Sequence, residues 1–219
     1  MELKSNNSVI VAHPDDETLW CGGQILMHPN DNWFVASLCR KNDPDRAPKF
    51  KKLLATYQAT GKMGDLDDGP EQLPLDQKEV EAAILDILPE KKYILVFTHS
   101  PFGEYTKHLR HEEVGRSVIS LWNQKKIAID TLCLFAYEDG NKAYYPRAIE
   151  NADVCQKLPL KIWKEKYRII KDIYGFEKSG FEAKTTPKKE AFWQFKKAED
   201  AQKWLEKNIS KKNQTQYMI

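Results

Sequence analysis

Val9-Ile10-Val11-Ala12-His13-Pro14-Asp15-Asp16-Glu17 is the stretch from which the fold can be read. Three β-branched residues and an alanine form a short apolar run, long enough for a buried strand, and it ends in an imidazole, a proline and three consecutive acids. Thr18 to Leu26 then reads as a helix, in which the Gly22-Gly23 pair signals close packing rather than a stop. Strand, loop, helix puts the acids at the carboxyl edge of an α/β sheet, where such folds hold their ligands. A carboxylate beside a buried strand end costs on the order of several kcal/mol unless something positive compensates, and a divalent cation is the simplest compensation. Capping of the following helix accounts for one acid, but not for three with a histidine in front.

Outward from this stretch, strands are expected at Trp33 to Cys39, Tyr93 to Phe97 and Ile129 to Tyr137, and helices at Pro48 to Thr60, Asp76 to Leu88 and Glu112 to Trp122. Strand and helix in alternation predict an α/β fold with a mostly parallel sheet covered on both faces. Leu158 to Phe176 reads as a basic amphipathic helix whose aromatics pack on the sheet. Lys188 to Asn208 reads as a further helical segment, and Ser210 to Met218 as a polar, frayed end. No repeat or low-complexity linker divides the chain, so a single domain is expected.

Composition narrows the function classes. The 219 residues carry 34 basic and 32 acidic side chains, and a net charge of +2 gives no general case for nucleic acid. The amino terminus is short and polar, and no apolar run approaches 18 residues, so neither a cleaved signal nor a membrane span is expected. The four cysteines, Cys21, Cys39, Cys133 and Cys155, are widely spaced, three of them in apolar runs, which fits reduced thiols in a cytoplasmic protein.

Chemistry concentrates in two places. His13 follows the first strand, and His99, His108 and His111 lie within thirteen residues after the strand at 93–97. Both loops leave strand carboxyl ends and can converge in space. Imidazole and carboxylate together suit zinc, with three protein ligands and one open position. The ligands on this reading are His13, one of Asp15 or Asp16, and one of His108 or His111, while the spare acid acts as general base on metal-bound water. His28, beside Pro29, is an exposed turn residue on the same reading.

Ala12-His13-Pro14-Asp15-Asp16-Glu17 with Cys21-Gly22-Gly23 resembles the signature of the PIG-L/LmbE-like deacetylases, and His108-Leu109-Arg110-His111 occupies the place of that family's second motif. Weaker similarity extends through Arg46, Asp67-Asp68-Gly69, Leu158-Pro159 and Glu190-Ala191-Phe192. The resemblance implies a Rossmann-like three-layer sandwich and a single deacetylase domain over residues 1–209, with 210–219 as a tail. It also implies a Zn²⁺-dependent hydrolase that removes acetyl from an N-acetylated amino sugar such as N-acetylglucosamine or a related glycoconjugate. By the same resemblance His13, Asp16 and His111 hold zinc, Asp15 is the base, and His108 protonates the leaving amine or stabilises the oxyanion. Arg46, Tyr105 and His99 are the implied substrate contacts. The implied partner is a small molecule, and a homo-oligomer is compatible with the sequence.

The second motif departs from the family's usual His-Pro-Asp-His. Arg110 stands in place of the acid, and a guanidinium near His108 is expected to depress its pKa. A metal-bearing carbohydrate-binding pseudoenzyme is the alternative that this departure raises. A magnesium phosphoesterase is a second one, disfavoured because magnesium selects oxygen ligands over imidazole.

Overall fold

The computed structural model describes residues 6–105 and 108–216. In chain order the elements are β1 (Asn6–Val11), α1 (Asp16–Met27), β2 (Asn32–Ser37), α2 (Arg46–Tyr57), β3 (Thr60–Met63), α3 (Gln77–Ile87), β4 (Lys92–Thr98), α4 (Leu109–Asn123) and β5 (Ala128–Phe135). A two-stranded ribbon, β6 (Tyr137–Glu138) with β7 (Arg147–Ala148), follows. Then come β8 (Val154–Lys157), α5 (Leu160–Arg168) running into a π-helical turn at Ile169–Ile173, α6 (Phe181–Thr185), β9 (Lys189–Phe195) and α7 (Ala198–Gln216).

Seven strands form one sheet in the order β3-β2-β1-β4-β5-β9-β8. The first five are parallel, and β9 runs antiparallel to both β5 and β8. Each face carries its own core. Val9 and Val11 pack with Trp20, Phe50 and Ile170 on one side, whereas Ile10 and Ala12 pack with Val80, Val114 and Val118 on the other. Successive side chains of a strand point to opposite faces, so a continuous apolar run is what a strand covered on both sides requires. The result is an α/β three-layer sandwich.

From β1 the chain moves outward through β2 to β3, then returns to place β4 on the opposite flank of β1. Two connections therefore leave the carboxyl ends of neighbouring strands β1 and β4 in opposite directions. That reversal opens a crevice, which is where open α/β sheets bind ligands.

The glycine pair packs closely, for a reason that sits in α1. The helix is kinked at Cys21 (φ −141°, ψ 15°), which frees the amides just beyond it. Glu190, brought in on β9, accepts from Gly23 N at 2.8 Å and from Gln24 N at 3.1 Å, and its charge is met by Lys166 Nζ at 2.6 Å. Both charged side chains are fully buried. A Cβ on Gly23 would stand 2.5 Å from Leu158 and 2.8 Å from the Glu190 carboxylate, so no larger residue fits.

Three expectations need correction. The 188–208 region is strand β9 followed by α7, because β9 lies between two strands with aromatics on both faces and so shows no simple period. The expected frayed end from 210 is helical through Gln216, since this polar stretch contains no proline or glycine to stop α7; residues 217–219 lie outside the described residues. The basic helix is shorter than 158–176 and ends in the π-helical turn. Cys21, Cys39, Cys133 and Cys155 are free thiols. Among the described residues no helix is long and apolar enough to cross a membrane.

Replacing Glu190 by alanine leaves a buried lysine charge and two helix amides without partners. We expect a loss of about 3–5 kcal/mol in unfolding free energy, read by urea denaturation. A loss below ~1 kcal/mol would show that the pair does not hold the kink.

Candidate metal centre

The loop after β1 and the loop after β4 meet at the crevice. Asp15 sits at the amino end of α1 with φ 117° and ψ −31°, a conformation costly for a residue with a Cβ. Its surroundings hold it there. Asp15 O accepts from Thr18 N and Leu19 N, and Asp15 N donates to Glu17 Oε2 at 3.0 Å. Glu17 is fully buried, and its other oxygen accepts from Thr18 Oγ1 at 2.7 Å and from Tyr174 OH at 2.9 Å. Burial raises the Glu17 carboxyl to about 7.

Three donor atoms converge beside this strained turn. His13 Nδ1 is 3.1 Å from Asp16 Oδ2 and 3.2 Å from His111 Nε2, and His111 Nε2 is 3.2 Å from Asp16 Oδ2. Ligand bonds of about 2.0–2.1 Å at tetrahedral angles separate donor atoms by about 3.3–3.4 Å, so the triangle has the size a zinc ion needs. Hydrogen-bond partners set which nitrogens face inward. His111 Nδ1 lies 2.7 Å from Glu104 Oε2, which commits its proton there and leaves the Nε2 lone pair for the triangle. His13 Nε2 lies 3.2 Å from Asp68 Oδ1, an ion-pair distance without hydrogen-bond alignment, and Nδ1 is the nitrogen that faces the triangle. Asp16 Oδ1 accepts from Trp20 Nε1 at 3.0 Å. Two nitrogen lone pairs and a carboxylate oxygen that meet in a buried pocket repel unless a cation or a proton lies among them, so the residues present fit a divalent metal.

Electrostatics follow the geometry. Burial would raise the Asp16 carboxyl, but the surrounding imidazoles, His111 foremost, hold it well below the usual range. Asp15 moves the other way: burial, and then the charge of Asp16, push it well above the usual range against the pull of Arg46. His108 caps α4 and stacks on His111, with ring centroids 4.3 Å apart and planes 16° apart. Burial, then His111 and His13, lower its imidazole to about 3, so it is neutral near pH 7. Burial also raises the Tyr105 phenol, which stays protonated as a donor.

A cleft of about 200 Å³ opens on the triangle, lined by His13, Asp15, Asp16, Arg46, Tyr105 and His108 among others. Arg46 NH1 lies 3.2 Å from Asp15 Oδ2, with its guanidinium over the Phe176 ring. His99 touches the triangle from behind, with Nε2 3.4 Å from Asp16 Oδ2 and its ring stacked on His111. It is fully buried behind the triangle, its Nε2 accepts the Ala12 N–H at 3.0 Å and its Nδ1 faces Glu104 at 3.1 Å, so it braces the site and does not line the cleft.

Arg110 also departs from expectation. Its guanidinium is fully buried and turned away from His108, donating to Glu113, to the carbonyls of Asp67 and Leu73, and to the Asp67 carboxylate. His108 is lowered by burial and by neighbouring imidazoles, and Arg110 is not among the leading causes. Arg110 instead ties down the segment that carries Asp68. Sequence reasoning assigned no role to Glu104 or Asp68. Glu104 sits in an irregular loop with no periodic signal, and only the Asp67-Asp68-Gly69 turn marked the neighbourhood of Asp68.

No family model matches the chain. An uncharacterised protein of Acanthamoeba polyphaga mimivirus is 21% identical over 185 residues, covering 77% of this chain and 78% of that one. Among solved structures, the N,N'-diacetylchitobiose deacetylase of Pyrococcus horikoshii is similar with a TM-score of 0.64 at 15% identity, over 88% of this chain and 84% of that one. The zinc-inhibited form of a teicoplanin deacetylase is similar with a TM-score of 0.53 at 13% identity, over 78% and 84%. The 4-carboxy-2-hydroxymuconate hydratase GalB of Pseudomonas putida has a TM-score of 0.54 at 15% identity, over 84% and 83%. The chain thus has the fold of the LmbE/PIG-L-type deacetylases, and a hydratase shares that fold.

Glu104→Ala removes the group that orients His111. Zinc affinity, measured by competition with a chelator, should fall about 10- to 100-fold with the fold retained by circular dichroism. An unchanged affinity would assign Glu104 to packing alone.

Proposed function

We propose that this chain is a metal-dependent deacetylase that hydrolyses the N-acetyl amide of an amino sugar or glycoconjugate to acetate and a free amine. The observation that carries this reading is the convergence of His13 Nδ1, Asp16 Oδ2 and His111 Nε2 within 3.1–3.2 Å of one another, at a cleft that Asp15 and His108 also line. The fold shared with two deacetylases supports it. Fold alone would not, since one architecture hosts several chemistries.

His13, Asp16 and His111 would hold the ion. Two imidazoles and one carboxylate favour zinc, which when bound supplies a Lewis acid and brings the pKa of water down to about 7. Asp15 takes a proton from the attacking water, whose oxygen adds to the acetyl carbon. Its place among other acids suits a carboxylate that must hold a proton for part of the cycle. The Tyr105 hydroxyl, kept protonated, is a donor for the carbonyl oxygen as negative charge develops there. As the carbon–nitrogen bond breaks, the proton that Asp15 took up passes to the departing nitrogen, with the neutral His108 imidazole accepting it on one ring nitrogen and giving one up from the other. Arg46 pairs with Asp15 in the resting site and is the cation within reach of a substrate hydroxyl.

The case for a binding-only protein came from Arg110 beside His108. With Arg110 turned into its own buried contacts, that argument loses its ground. Four free thiols suit a reducing compartment such as the cytoplasm.

Protein purified without added metal should carry close to one zinc per chain by mass spectrometry, and His111→Ala should lose most of it. Asp15→Asn should keep its metal while acetate release from N-acetylated sugars falls by about 10²–10⁴-fold. A metal-loaded wild-type protein that releases no acetate across a panel of N-acetyl sugars would overturn the deacetylase reading.

A further inference from the structure

His13 has a second ring nitrogen to place. Nδ1 faces Asp16 and His111, whereas Nε2 points the other way, buried and without a hydrogen-bond partner although Asp68 Oδ1 is 3.2 Å off. A buried polar atom in that state is costly, and a site that leaves one in place has a partner still to gain.

A second set of donors surrounds Nε2. One atom each from His13, Cys39 and Asp68 lie within 4.8 Å of one another. Cys39 is fully buried just past β2, and its amide donates to Ala12 O, which fixes the residue beside the end of β1. Asp68 Oδ2 accepts from Arg40 Nε at 3.0 Å and NH2 at 2.6 Å, so Oδ1 is the oxygen turned to His13. Ligand bonds of about 2.3 Å to sulfur and 2.0–2.1 Å to nitrogen or oxygen put sulfur about 3.6 Å from its neighbours, so the thiol has no more than roughly an ångström to close.

The donor types select the ion. Thiolate and imidazole suit zinc and its borderline relatives, not magnesium or calcium. Thiolate, carboxylate and a His13 ring metallated on both nitrogens bring three negative charges to the ion's two, and the Arg40 guanidinium offsets the surplus. His13, Asp68 and Arg40 all line the metal cleft, which supplies the way in.

We propose that His13 Nε2, Cys39 Sγ and Asp68 Oδ1 form a second, weaker site for zinc or a similar divalent ion, joined to the first through the His13 ring. Filling it releases two protons to solvent, one from the Cys39 thiol and one from His13 Nε2, and that cost makes it the weaker of the two near neutral pH. The inference rests on the reading of His13, Asp16 and His111 as ligands of the first ion. Sulfur separates the two sites, because the first contains none.

Cobalt(II) in place of zinc reports the difference by absorption. Cobalt-substituted protein is titrated with further cobalt, and bound metal is counted by mass spectrometry. The first ion should give weak visible bands alone, and the second should add an intense thiolate-to-cobalt charge-transfer band in the near ultraviolet. Among the described residues Cys39 is the one cysteine grouped with other ligand types, so Cys39→Ala should abolish that band and hold the protein at one ion per chain. Asp68→Asn, which keeps the thiol, should weaken the second ion by at least about tenfold. No thiolate band at any cobalt excess, or a band that persists in Cys39→Ala, would overturn the second site while leaving the deacetylase reading as it was. A thiolate band on the first ion that survives in His111→Ala would uphold the Cys39 site and remove the metal assignment on which that reading depends.

Discussion

The Asp16 carboxylate is the contact on which the rest of the site depends. One of its oxygens lies within 3.0–3.4 Å of the His13 amide, His13 Nδ1, His99 Nε2 and His111 Nε2, and the other accepts from Trp20. These groups come from β1, α1, β4 and α4, so a single buried charge ties together both loops of the crevice. Its position in the first turn of α1 adds the favourable end of the helix dipole. A carboxylate in such a place is costly without positive partners. The same constraint that gathers histidines around Asp16 gathers the donor set for a cation.

Asp15, one residue earlier, carries the opposite electrostatic character because nothing comparable neutralises it. Its backbone is strained, and the strain persists because α1 takes up its carbonyl while Glu17 takes up its amide. Glu17 in turn leans on Tyr174, which arrives from 157 residues away in sequence. Adjacent acids thus have distinct tasks, set by environment: Asp16 is held low among imidazoles, Asp15 is pushed up by burial and by the charge of Asp16, and Glu17 is a buried brace.

Arg110 shows how a departure from a motif can be absorbed. In sequence it threatens the neighbouring histidine. In the fold it points along the other face of α4 and, with Glu113, pins the segment from Asp67 to Leu75, which brings Asp68 to His13. The buried Lys166–Glu190 pair plays a similar supporting part under the α1 kink, fixing where the first turn of that helix can sit.

The sequence by itself determined the β1–α1 unit, the alternation behind a mostly parallel sheet, and the concentration of chemistry after the strand at 9–12 and the strand at 93–97, while β3 (Thr60–Met63) emerged only in the fold. Apolar periodicity and a run of acids at a strand end are local signals that survive without a partner. It left open which acid and which histidines would share a site, since donor-to-donor distances arise only when β1 and β4 become neighbours. Only the tertiary structure placed Glu104 and Asp68 behind their histidines, withdrew His99 from the cleft and turned Arg110 away. Strand β9 was hidden for a related reason: covered on both faces, it lacks the alternation that marks a half-exposed strand, and its place between β5 and β8 is decided by pairing across the sheet.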